Sequence, residues 1–203
     1  MSSKFKRVPV DVAVSDLSPL NISCSSTKCE SGLHCFTRNQ HIAQKKYGKT
    51  HVCYECGVGL NSWDRLHKRD PKDSAFVFRE FKKELIRHVY WHMPIKQRDK
   101  MNAIKDGIVK IKEDAINRLT NVIGIESPFR DGITPYDGNI IFYAQHATAS
   151  CCRVCMEYWH GIPKGRVLTK EEINYLTELI ILYIYEKVPE LRNKLSKMLN
   201  LEK

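Results

Sequence analysis

Residues 169–187 read TKEEINYLTELIILYIYEK, and this stretch sets the fold class. Thr169 and Glu172 form the T-x-x-E pattern of a capping box, in which each side chain satisfies the other residue's backbone N–H at a helix start. Ile173, Leu176, Ile180 and Ile184 then recur at helical spacing as core positions, and Pro189 kinks or ends the helix. The longest apolar run, Leu179 to Tyr185, is far short of the roughly 18 residues of a membrane span. It reads as a buried helix segment, so no membrane partner is expected.

Two more stretches carry the same period. Residues 74–92, SAFVFREFKKELIRHVYWH, predict one helix with Asp73 as cap, Pro94 as stop, and Phe78, Phe81, Leu85, His88 and His92 on one face. A further helix is expected from about Gln97 to Val122, with Ile104, Ile108, Ile111, Ala115, Ile116, Leu119 and Val122 inward. Residues 126–139 are rich in turn formers, and IIFYAQHA (140–147) reads as one short buried strand. The expected class is therefore mainly α with minor β. It divides into an N-terminal arm (1–23, with Val8, Val10, Val12 and Val14 suggesting an edge strand), a zinc-knuckle module (24–70) and a compact helical domain (71–203).

The chain has 203 residues, a formal net charge of +10 and 8 cysteines. The positive excess favours a polyanionic partner, DNA before RNA, over a membrane surface. The N-terminus lacks the apolar stretch of a secretory signal, so the expected location is cytoplasmic, where thiols stay reduced. Cysteines there call for another explanation, and their spacing points to metal.

The first cluster lies in CSSTKCESGLHCF (24–36) and HVCYECGVGL (51–60). Cys53 and Cys56 have knuckle spacing: two intervening residues let backbone N–H groups point at sulfur, and Gly57 permits the bend. Zinc needs four ligands in all. Cys29 and Cys35 are the expected partners, with Cys24 and His34 as substitutes. The second cluster lies in QHATASCCRVCMEYWHGIPKGR (145–166). Adjacent side chains diverge, so Cys152 and Cys155 are expected to ligate rather than Cys151, with His160 completing the site, or His88 or His92. Zinc is the expected ion. An iron–sulfur cluster, buried thiols without metal, and a nucleophilic cysteine beside His146 or His160 stay open. The deaminase pattern H-x-E…P-C-x-x-C is absent.

Around this second cluster stand groups that zinc alone does not require. Gln145 can pair with a base edge and His146 can move a proton near neutral pH. Arg153, Lys164 and Arg166 offer cations to phosphate, and Trp159 offers a ring for an unstacked base. Arg65 and Lys68 in NSWDRLHKRD form a second candidate phosphate contact, and Asp131 and Asp137 are candidate general bases. This set leads us to expect a zinc-containing nucleic-acid-processing enzyme. A DNA glycosylase-like protein releasing a modified base, in repair or phage defence, fits best. A non-catalytic zinc-containing nucleic-acid-binding protein is the alternative.

DGITPYDG (131–138) followed by FYAQHATASCCRVCMEYWHGIPKGRVLT (142–169) resembles a bacterial domain family of unknown function. Its pattern runs approximately D-G-x-Q-T-P…A-Q-H-A-T-A-x-C-C-R-x-C-x-x-x-W-H-x-I-P-K-G-R. The likeness covers about residues 129–185. Here Ile133 stands, where the family usually has Gln, one residue before Thr134. The resemblance implies that the QHAT…WH…KGR segment is a unit, and implies no reaction.

Overall fold

The computed structural model describes residues 22–192; the expected N-terminal edge strand lies outside them. Eight α-helices are described: α1 (Gln40–Tyr47), α2 (Trp63–Leu66), α3 (Ser74–Phe81), α4 (Leu85–His92), α5 (Gln97–Arg118), α6 (Ile140–Ala147), α7 (Arg153–His160) and α8 (Lys170–Lys187). Short 3₁₀ and π turns link some of them, and among the described residues β structure is limited to isolated bridges. The chain is thus mostly helical, as expected.

α8 forms as its capping box predicts: Thr169 Oγ1 accepts from the Glu172 N–H at 3.3 Å, and the Glu172 carboxylate accepts from the Thr169 N–H at 2.9 Å. Leu176, Ile180 and Ile184 are fully buried, and the helix ends at Lys187, just before Pro189.

The octet 140–147 is a helix, not the expected strand. Asn139 caps it by accepting from the Ile141 N–H at 2.9 Å. Every residue but Phe142 is buried, because α6 packs against α4, α5 and α8. A helix enclosed on all sides and a buried strand both read as an unbroken apolar run, and periodicity does not separate them.

The single helix expected over 74–92 is two. Lys82 ends α3, and Glu84 is extended before α4. The break is held by a β-bridge: His34 N–H donates to Lys83 O, and Leu85 N–H donates to His34 O, both at 2.9 Å. The N-terminal region thereby docks at the elbow between α3 and α4. Its Phe36, Cys53, Leu60 and Leu66 share one buried cluster with the helices. Beyond α5, a π turn at Leu119–Ile123 shifts the inward face by one residue, so Ile123 is buried and Val122, expected inward, is 44% exposed.

Candidate metal centres and the adjoining cavity

The N-terminal centre is built from two tight turns. Lys28 and Leu33 bridge around the 3₁₀ turn Cys29–Ser31, which carries Cys29 and leads to His34. Val52 and Gly59 bridge around the knuckle, where Cys53 N–H donates to Val58 O and Gly57 N–H to Cys53 O, each at 2.8 Å. Gly57 has φ +76°, and a Cβ there would meet the Tyr47 ring at 2.9 Å, so the position requires glycine. These turns bring ligand atoms of Cys29, His34, Cys53 and Cys56 within 4.8 Å of one another. Cys29 and Cys53 sulfurs are 3.8 Å apart, and Cys56 Sγ lies 3.4 Å from His34 Nδ1. A tetrahedral ion with sulfur ligands at about 2.3 Å has ligand edges of about 3.8 Å, which these separations match. Burial raises the Cys53 thiol. The His34 ring and the backbone N–H groups of Cys35, Cys56 and Glu55 overturn that effect and bring it down to about 6.

Cys35, expected as a ligand, lies outside this set. Neighbours in extended chain face opposite ways, and His34 takes the side of the knuckle. Cys35 points away, donates to Cys24 O at 3.1 Å and accepts from the Arg38 N–H at 3.4 Å. Burial pushes its thiol up to about 12.

The second centre sits at the start of α7. Cys155 Sγ is 3.6 Å from Cys151 Sγ and 3.5 Å from Cys152 Sγ, and all three residues are buried. Cys151 thus joins the group from which neighbour divergence would exclude it. The reason is local: Ala149 is left-handed (φ 55°), the chain turns into the helix, and Cys152 is its N-cap. Cys151 and Cys152 then stand four and three residues before Cys155, the spacing that meets on a helix face. The separations again match the edge of a tetrahedron around one ion. A cubane distributes its thiolates over separate irons and needs them farther apart. Two guanidinium groups flank the sulfurs: Arg87 Nη2 donates to Cys155 at 2.8 Å, and Arg38 Nη2 to Cys152 at 3.4 Å. Arg87 also pairs with Glu84 at 3.3 Å. Glu84 in turn accepts from Phe36 N–H, Thr37 Oγ1 and Trp159 Nε1 at 2.8–3.0 Å.

The histidines expected beside these thiols are elsewhere. His160 is fully buried, with Nε2 3.0 Å from Thr148 O and Nδ1 3.3 Å from Tyr175 Oη. Burial holds its imidazole down at about 3. His88 and His92 stack on each other at 4.0 Å and belong to neither thiol group.

A cavity of about 360 Å³ adjoins the second centre, lined by Cys24, Arg38, Asn39, Tyr136, His146, Cys151 and Cys152 among others. Among the described residues no carboxylate lines it. His146 is 3% exposed and sandwiched between the Tyr90 and Tyr136 rings at 4.7 and 5.2 Å. Its Nε2 faces Thr134 O at 3.2 Å and Pro135 O at 3.1 Å, so Nε2 carries the proton. Nδ1 is then a bare lone pair, and it is buried without a partner. Burial, reinforced by the Arg87 charge, holds this imidazole at about 3, so it is neutral at physiological pH.

Most of the other expected site residues are committed to the scaffold. Gln145 Oε1 accepts from Arg118 Nε at 2.8 Å, and its amide donates to Ser150 O at 3.3 Å. Arg153 is buried and clamps the following turn through Pro163 O at 2.7 Å and Arg166 O at 3.0 Å. Trp159 has no exposure and gives its N–H to Glu84. Arg166 forks onto Glu172 at 2.6 and 2.8 Å, and Arg65 onto Asp73 at 2.6 Å. Lys164 lies 4.0 Å from Glu157, and Lys68 is an exposed cation. Asp137 pairs with Lys96, while Asp131 sits in an exposed turn with φ 58°. None of these lines the cavity. Sequence reasoning missed Arg38 and Arg87. Arg87 had a signal, a lone cation among apolar neighbours in LIRHVYWH; Arg38 had none.

The site is therefore a helical scaffold carrying two cysteine-rich clusters that can each hold a metal ion, one of them open to a cavity. A protein-family model described as a domain of unknown function, DUF4186, matches residues 75–185, more than half of the chain. The chain belongs to this family, and the match includes the second centre but not the first. Comparison with the solved structures returns no match.

Proposed function

We propose that the protein is a zinc-containing enzyme acting on nucleic acid, with a structural metal at the N-terminal centre and its chemistry in the cavity beside the second. The observation that carries this reading is the three cysteine sulfurs at single-ion spacing beside a cavity that Arg38 and His146 also line. Charge supports it. Three thiolates and a divalent cation sum to −1, the Arg87–Glu84 pair adds zero, and Arg38 restores neutrality. Without the ion, the same burial favours neutral thiols: hydrogen bonding to Cys151 holds the Cys152 thiol up at about 12. A zinc ion with three protein ligands supplies a Lewis-acidic fourth position to water or substrate.

Nucleic acid as substrate rests on the net charge of +10 and on the cavity's composition, with Arg38 as cation and half-exposed Tyr136 as a flat ring. Of the residues expected to release a base, His146 alone stands on the cavity. A purely binding protein is the competing reading; it leaves the cavity's thiol wall without a use.

The test is titration of the zinc-loaded chain with DNA and RNA, followed by product analysis. Binding should weaken as salt rises, because phosphate contacts release counterions. Arg38→Ala should lower turnover with little change in fold. Absence of binding to any nucleic acid at low salt would overturn the substrate class.

A further inference from the structure

Residues 34–38 touch both centres. His34 belongs to the N-terminal set, with Nδ1 3.4 Å from Cys56 Sγ. Phe36 N–H and Thr37 Oγ1 donate to the buried Glu84 carboxylate at 2.9 and 3.0 Å. Arg38 Nη2 donates to Cys152 Sγ at 3.4 Å. Arg38 enters no ion pair with a carboxylate among the described residues, so the sulfur of the second centre is its partner.

Glu84 opens a second route between the centres. Its Oε2 lies 3.3 Å from Arg87 Nε, and Arg87 Nη2 donates to Cys155 Sγ at 2.8 Å. Neither side chain has any solvent exposure. Among the described residues Glu84 accepts from three neutral donors: Phe36 and Thr37 are two of them, and Trp159 is the other. Withdrawing residues 34–38 would strip a buried carboxylate of partners, which is costly, and would loosen the Arg87 grip on Cys155. The same movement would remove one wall of the cavity. Ser23, Cys24, Ser25, Arg38 and Asn39 line it, all of them outside the stretch that the family model matches.

We propose that metal at the N-terminal centre docks this wall and thereby tightens the second centre, so that the two ions bind cooperatively. Docking of residues 34–38 at the elbow between α3 and α4 is the element that both ions bias. The first ion fixes the His34 ring to the knuckle, while the His34 backbone bridges Lys83 and Leu85. The second ion gathers the sulfurs that Arg38 and Arg87 contact. Each ion therefore favours the docked state, and linkage makes the gain equal in both directions. Cys56 is the exposed ligand, so zinc withdrawal starts there and the coupling carries it to the buried centre. The inference rests on the reading that both clusters hold a metal.

The experiment measures zinc binding by the full chain in competition with a chromophoric chelator of known affinity. The native chain gives the overall constant for two ions. Cys29→Ser combined with Cys56→Ser empties the first centre without altering residues 34–38, and reports the second centre alone. Cys155→Ser reports the first centre alone. The native constant should exceed the product of the two single-centre constants about five- to a hundredfold, the usual size of a coupling between sites. Arg38→Ala, introduced into all three chains, removes one of the two links and should lower that factor. Circular dichroism checks that the helices persist; if the double variant loses them, Cys56→Ser alone takes its place. A factor of one overturns the proposal, and so does a factor that Arg38→Ala leaves unchanged. A native chain that takes one ion only overturns the metal reading together with the inference. Two ions with a factor of one overturn the inference alone.

Discussion

Arg87 donates to the Cys155 sulfur at 2.8 Å from a position with no solvent exposure. So short a contact suits an anionic acceptor, since charge-assisted hydrogen bonds are the shorter ones. The same guanidinium also pairs with Glu84 and donates to His146 O at 2.7 Å. One side chain thereby joins α4 to the second centre and to the end of α6.

Removing this cation should be costly. Arg87→Leu leaves the Glu84 carboxylate buried with neutral donors only. The expected loss is about 3–5 kcal/mol in urea unfolding, as for a buried pair broken on one side. Arg87→Lys keeps the charge without the fork and should lose less. A loss below about 1 kcal/mol for Arg87→Leu would show that the pair is not buried as described.

At the N-terminal centre, adjacent residues should behave oppositely. His34→Ala should lower the zinc content by one ion per chain and expose residues 29–60 to proteolysis, because that segment has few apolar residues of its own and metal binding stands in for a core. Cys35→Ser should retain the ion. The reverse pattern would place Cys35, not His34, in the coordination sphere.

Acid should weaken the fold through its buried histidines. His146 and His160 are both held near 3, below their ordinary 6.5, so between these values the unfolded chain binds protons that the folded chain refuses. Their contribution is complete above pH 6.5. It falls as pH drops toward 3, by about 1.4 kcal/mol per pH unit for each histidine. His160→Gln, which can still donate to Thr148 O, should reduce the pH slope of unfolding free energy by one proton. An unchanged slope would mean that His160 is protonated in the folded state.

The α8 cap offers a local check. Thr169→Ala removes the acceptor for the Glu172 N–H and should cost about 1 kcal/mol, read as a shift in the urea midpoint at unchanged m-value. No shift would mean that Arg166 and Arg69, which also hold Glu172, suffice for the helix start.

Thr169, Glu172 and Pro94 are local signals, and the elements they bound were legible in the sequence. α6 was not, because Ile140, Ile141, Phe142 and Tyr143 favour a strand by propensity and only packing on every side makes them helical. The break between α3 and α4 depends on His34, some fifty residues away, and no local pattern records it. The clusters were legible as clusters, yet ligand choice was not. Whether His34 or Cys35 faces the knuckle is a question of register, and Cys151 joins its neighbours through a backbone turn at Ala149. Gln145, Arg153 and Trp159 looked functional because polar and aromatic groups gather there; tertiary hydrogen bonds absorb them.

The central claim is that both clusters hold a single zinc ion. It is tested most directly by metal analysis and zinc-edge anomalous scattering on the native chain and on Cys155→Ser. We expect two zinc ions per native chain, one between Cys29, His34, Cys53 and Cys56 and one at Cys151, Cys152 and Cys155. Cys155→Ser should keep the first and lose the second. One zinc in the native chain, or an iron–sulfur absorption spectrum in place of the second, would contradict the account.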